Sequence, residues 1–328
     1  MGKIELSQAI KDEHENYFQK TIYEKLKKKI ATCNNNFLRW FYTYCDNEER
    51  WKILAIGEYS ELLEFQRELE RALVAQYPQY PTFKSMVSSK EGKVIRDDIF
   101  SFFGYDKFTE VRSDVKWSAY KFACMAGVRV CPYCKRQYIT PYISKSGRMR
   151  GDIDHFLAKS EYPHFSMSIY NWVLSCPLCN RSLKGARGFS DQAPSPYEYD
   201  YNEMYYFYAD FGKLDCDDGC IRTVSVDPHI DEILDMFHIK DIYQVHSNVA
   251  KEFFQKSISY PPELIENLIG NTAINLYKNS SELRKVLLGY PCKENIDDEA
   301  LGKLKYDLAI QAGLENELDL DGEKYNVD

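Results

Sequence analysis

Two short cysteine pairs, CPYC at 131–134 and CPLC at 176–179, bracket the segment DIDHFLAKSEYPHFSMSIYNWVLS. One C-x-x-C alone is compatible with a redox thiol, because a lowered pKa turns its first cysteine into a nucleophile. Two pairs supply Cys131, Cys134, Cys176 and Cys179, the four thiolates that a tetrahedral structural Zn²⁺ requires. Four thiolates leave no open coordination position, so such a zinc would brace the chain rather than act on a substrate.

A second constellation lies inside the bracket. Asp154 and His155 sit at the end of a β-like run, and Asn180 directly follows the last cysteine. If a helix starts near Cys176, Asn180 folds back beside Asp154 and offers its amide oxygen. One carboxylate and one amide oxygen form a sparse, hard ligand set suited to Mg²⁺ or Mn²⁺ that keeps several waters and takes phosphate oxygens. His155, close to that ion without needing to bind it, is a suitable general base for a water attacking phosphorus. Arg181 and Lys184 on the same short helix are the phosphate-contact candidates, with Lys159 in FLAKSEYP a third.

The elements that must position these groups are read from periodicity. Residues 1 to about 115 carry apolar residues at three- and four-residue intervals, in TIYEKLKKKI, FLRWFYTYCDNEERWKILAIG and SELLEFQRELERALVAQY, and are expected to be helical. SDVKWSAYKFACMAG is a further helix, with Ser113 as N-cap and Gly127 as stop. From 138 to 157 the pattern is β-like, YITPYI and DIDHF around a polar turn. Aromatic strand-like runs follow from 196 to 228. Helical patterning returns after Pro228, and the chain ends on an acidic stretch. The expected division is therefore 1–115, 116–230 and 231–328, an α+β chain with its strands in the middle third.

Composition sets the class. With 328 residues, 44% hydrophobic and 28% charged, the chain fits an ordinary globular protein of two or three domains. No apolar run approaches the roughly 18–20 residues of a membrane span, and MGKIELSQAIKDEHENYFQK has no apolar leader core, so a cytoplasmic protein with reduced thiols is expected. Cys33, Cys45, Cys124 and Cys292 are expected as core fillers, and Cys216 and Cys220 as hairpin residues. The net charge of -8 argues against nucleic acid until it is mapped: residues 121–187 hold eleven Lys or Arg against three acids, a local +8 that leaves -16 elsewhere. A basic island in an acidic chain suits local phosphate binding.

Three strings in order, VRVCPYCKRQYI, DIDHFLAKSEYP and YNWVLSCPLCNRSLKG, resemble the HNH (ββα-metal) endonucleases over residues 128–187. The resemblance implies a zinc-braced ββα-metal core embedded between mainly helical regions. It also implies Asp154 and Asn180 as ligands of the catalytic metal, His155 as base, and Asn171 holding the loop that orients the base. The flanks WSAYKFACMAGVRVCPYC and VSVDPHIDEILDMF are similar to the HNH nuclease subunits of Septu-type and retron-associated antiphage defence systems. That likeness implies DNA as substrate and an SMC-like ATPase as partner. Two other readings stay open at this point: a catalytically silent zinc-braced module that binds nucleic acid or protein, and a glutaredoxin-like thiol oxidoreductase built on CPYC.

Overall fold

A computed structural model describes residues 2–110, 116–144, 148–214, 219–271, 277 and 279–315. Ser113, Cys216 and the acidic stretch from 316 lie outside the described residues. The chain is mixed α+β, mostly helical with three small two-stranded sheets among the described residues. It packs as two units: a larger one of residues 3–132 and 139–199, and a smaller one of Gly2, residues 133–138 and the described residues from Asp200 onward. Of the strand-bearing middle third, residues 139–199 belong to the larger unit and the described residues from Asp200 to the smaller one.

The larger unit begins with α1 (Gln8–Phe18), α2 (Glu24–Thr32), α3 (Asn36–Cys45), α4 (Glu48–Ile56), α5 (Tyr59–Gln76), α6 (Phe83–Ser88), α7 (Gly92–Phe103), α8 (Tyr105–Glu110) and α9 (Ala119–Met125). The run that reads as one helix from Phe37 to Gly57 is broken in two. The Asn47 side chain caps α4 by accepting the Arg50 N–H at 3.0 Å, which favours a fresh helix start over continuation. For α9 the cap is Ser118, accepting from Lys121 N–H, rather than Ser113. Gly127 does follow the helix with φ +68°, the left-handed geometry that closes helices.

Strands β1 (Tyr142–Ile143) and β2 (Arg148–Met149) pair antiparallel. β3 (Asp152–His155) pairs antiparallel with β4 (Trp172–Ser175), Asp152 opposite Ser175 and His155 opposite Trp172. Both strands of this pair are buried throughout, so they sit inside the unit rather than on its rim. The core around them is aromatic. Trp172 is fully buried against Phe108, Phe122, Tyr105 and His14, with ring centroids 5.0–6.1 Å apart. Burying one such indole removes roughly 200 Å² from water, about 5 kcal/mol as an upper figure. His14 fills this core as a neutral ring: Trp117 Nε1–H donates to its Nδ1 at 3.0 Å, and its Nε2–H donates to the Met167 carbonyl at 2.7 Å.

The smaller unit is built on β5 (Tyr205–Ala209), preceded by α10 (Tyr201–Met204), and β6 (Ile221–Ser225), again antiparallel. Around them lie α11 (Asp231–Met236), α12 (Ile239–Ile242), α13 (Ser247–Ser259), α14 (Pro262–Asn271), α15 (Ser280–Leu288) and α16 (Gly302–Gln311). Phe207 stacks on Tyr243 at 4.0 Å and Tyr133 on Phe237 at 4.3 Å. Inside this unit Lys303 and Asp307 form a 2.7 Å ion pair, each side chain 1% exposed, with the Lys303 ammonium 4.4 Å from the Tyr206 ring.

Candidate metal centre and active site

The sulfurs of Cys131, Cys134, Cys176 and Cys179 all lie within 4.8 Å of one another, and all four residues are buried. Zn–S bonds of about 2.3 Å in a tetrahedron place sulfurs about 3.8 Å apart, so the cluster fits one zinc with small adjustment. The main chain already points donors at the sulfurs: Cys176 N–H meets Cys131 Sγ and Cys179 N–H meets Cys176 Sγ, each at 3.4 Å. Such bonds favour thiolate over thiol. A redox role fits poorly, because a nucleophilic thiol must be reachable and Cys131 is 0% exposed. Of the other cysteines, Cys33, Cys45 and Cys220 are buried, Cys292 is intermediate, and Cys124 is exposed rather than a core filler.

From Cys176 the chain turns into a short, wide-wound helix, Leu178–Lys184. It ends at Gly185, whose φ of +59° with ψ of -128° is open essentially to glycine alone. This helix packs beside β3 and brings the polar groups together, though not in the pairing expected. Asp152 and Asp154, two apart on a strand, project from the same face. The Asn180 amide nitrogen donates to Asp152 Oδ2 at 3.2 Å, not to Asp154. Arg181 clamps Asp152 with both ends of its fork, Nε to Oδ2 at 2.7 Å and Nη2 to Oδ1 at 2.6 Å. Lys184 reaches Asp154 Oδ1 at 2.8 Å and the His155 carbonyl at 2.6 Å.

These contacts correct the phosphate-contact expectation for Lys184, whose side chain is only 2% exposed. A lysine on a helix face reads as solvated, but here a buried carboxylate and a carbonyl hold the ammonium. Arg181 is 71% exposed although it is clamped. Lys159 is exposed, with its ammonium 5.0 Å from the Phe100 and Tyr105 rings and its pKa lowered by burial.

His155 projects to the opposite face of β3 from Asp154. Its Nε2 lies 2.9 Å from the Ser166 carbonyl, which can only accept, so the proton sits on Nε2 and the lone pair on Nδ1. Burial, with the Lys159 and Lys184 charges adding to it, pushes the imidazole pKa down to about 3. The ring is therefore neutral at physiological pH, held edge-to-face by Tyr105 at 4.5 Å. Asn171 spans the loop between β3 and β4: Leu157 N–H donates to its Oδ1 at 2.7 Å, and its Nδ2 donates to the Leu157 and Phe165 carbonyls at 3.0 and 3.1 Å. His164 lies in the same loop, fully buried among Phe41, Phe65, Phe83 and Phe165, with Nε2 3.0 Å from Gln66 Oε1.

Sequence reasoning missed two participants. Asp152 was legible, since DID at period two places it beside Asp154. Tyr105 was not, because nothing local links α8 to a strand fifty residues later. No family model, curated protein or solved structure matches the chain.

Proposed function

We propose that residues 128–187 form an HNH-type site that hydrolyses phosphodiester bonds, with DNA as the substrate class. The observation that carries this reading is the β3–β4 pair with the Leu178–Lys184 helix beside β3, in which Asn180 meets Asp152 and Lys184 meets Asp154 while Asn171 holds the loop after His155. His155 is built as a base: its Nε2–H is spent on Ser166, and Nδ1 accepts the proton of the attacking water. Asn180, tied through its amide nitrogen to Asp152, keeps its amide oxygen as a hard donor. A divalent Mg²⁺ or Mn²⁺ held by Asp154 and that oxygen would polarise the phosphoryl group and stabilise the leaving oxyanion. Arg181 and Lys159 supply exposed cations for the nucleic-acid backbone. The flanking likeness extends the proposal to an antiphage effector working beside an SMC-like ATPase.

One observation favours the silent zinc-braced module instead: both strand carboxylates are charge-paired and His155 is 6% exposed. Incubation of supercoiled and linear DNA with Mg²⁺ or Mn²⁺ separates the two. The nuclease reading expects cleavage that falls at least about 100-fold in His155→Ala, the usual scale for losing a general base. Equal cutting by wild type and variant removes His155 as base. No cutting by either leaves the silent module.

A further inference from the structure

Both acids on the β3 face meet cations from one short helix. Asp152 is forked by Arg181, and Asp154 is bound by Lys184, whose ammonium is all but sealed from solvent. Arg181 and Lys184 come from one short helix and oppose the two acids in order along β3. Formally the four side chains sum to zero. A hard divalent cation is held by carboxylate charge, so the strand end has little net attraction for Mg²⁺ or Mn²⁺ on its own. A phosphodiester would add the missing negative charge and further oxygen donors.

We propose that Lys184 is a tethered cation that discharges Asp154, so that the divalent ion is taken up together with nucleic acid and not ahead of it. The inference rests on the nuclease reading above and concerns the order of loading at that same site. Lys184 is suited to the part because its second bond, to the His155 carbonyl, keeps the ammonium in place when the Asp154 carboxylate shifts. Arg181 differs, since its exposed guanidinium can exchange Asp152 for a phosphate. Lys184 thus acts as a positioning residue, with the cation and not the substrate as its object.

The test is Mn²⁺ binding by the full chain, followed through the loss of the free-ion EPR signal, with and without a short phosphorothioate DNA duplex. Ion held by the duplex alone is subtracted. Wild type is expected to take up Mn²⁺ at least about tenfold more tightly with the duplex present. Lys184→Met is expected to bind Mn²⁺ without duplex at least about tenfold more tightly than wild type, and to gain thermal stability on Mn²⁺ addition that wild type does not. Lys184→Arg keeps the charge and is expected to follow wild type. Retained zinc and far-UV dichroism establish that each variant is folded. Should Lys184→Met not hold its fold, the duplex dependence of wild type decides alone. Tight Mn²⁺ uptake by wild type without duplex overturns the proposal while leaving the nuclease reading intact, as does Lys184→Arg behaving like Lys184→Met. Absence of uptake in every form, duplex included, overturns both.

Discussion

Replacing Asn171 with alanine should unseat the loop that carries the candidate base. The amide makes three hydrogen bonds in a fully buried position: one from the Leu157 N–H and two to the Leu157 and Phe165 carbonyls. Alanine leaves one donor and two acceptors without these partners. A buried unsatisfied group costs about 1–3 kcal/mol, and carbonyls retain some capacity through their second lone pair, so the expected loss is about 3–5 kcal/mol. The measurement is favoured by the placement of the tryptophans: all four, Trp40, Trp51, Trp117 and Trp172, belong to the larger unit. Urea unfolding followed by tryptophan emission therefore reports that unit. The midpoint should fall with little change in slope, the signature of lost stability rather than altered compactness. A loss below about 1 kcal/mol would mean that water replaces the amide easily and that the loop is not held from Asn171.

Other consequences can be checked in parallel. The purified chain should carry about one tightly bound zinc, displaced by a mercurial that titrates the four clustered thiols, and Cys176→Ser should lose it. Metal analysis showing no zinc in chain purified without chelator would refute the cluster's role. The larger unit should be acid-sensitive through His14 and His164, both buried, with pKa values pushed from 6.5 to about 3 by desolvation. A histidine whose folded pKa is depressed contributes stability that is whole above 6.5 and is lost as pH falls toward 3, about 2 kcal/mol per ring by about pH 5. Tryptophan-detected stability that stays flat between about pH 7 and 5 would contradict this. In the smaller unit, Asp307→Ala strands the buried Lys303 cation and should cost about 3–5 kcal/mol, whereas Lys303→Met with Asp307→Leu removes both charges and should cost only the about 1–3 kcal/mol of leaving the Phe207 N–H without its Asp307 acceptor, as read by far-UV dichroism.

What could be read from the residues alone follows a physical line. The cysteine pairs were legible because a knuckle is local: four positions and a turn decide it, and the structure gathers the four sulfurs. The strand about DIDH was legible, since a short apolar run bounded by a polar turn favours β structure, but its partner strand Trp172–Ser175, beyond a sixteen-residue loop, was not marked. The helix break at Asn47 was missed because apolar periodicity continues through it while the cap wins locally. The packing of Phe108 and Tyr105 onto Trp172 was invisible, since an amphipathic helix announces an apolar face without naming what covers it. The ion pairs of Asp152 and Asp154 were hidden for another reason. Lys184 and Arg181 read as solvent-facing cations until burial and a facing carboxylate are known.

The hexapeptide 133–138 has a bearing on how the chain is made. Its partners lie far downstream: Tyr243 Oη donates to the Cys134 carbonyl, Leu301 N–H donates to the Lys135 carbonyl, and the Lys135 ammonium meets Asp297 at 2.5 Å. A ribosome adding about 5–20 residues per second needs roughly 10–30 s after Lys135 to deliver Leu301. Throughout that interval the first cysteine knuckle is on a nascent chain whose anchors do not yet exist. The support of the Cys134–Lys135 segment is thereby tied to near-completion of translation, and a product terminated before Asp297 would lack the partners that hold Lys135.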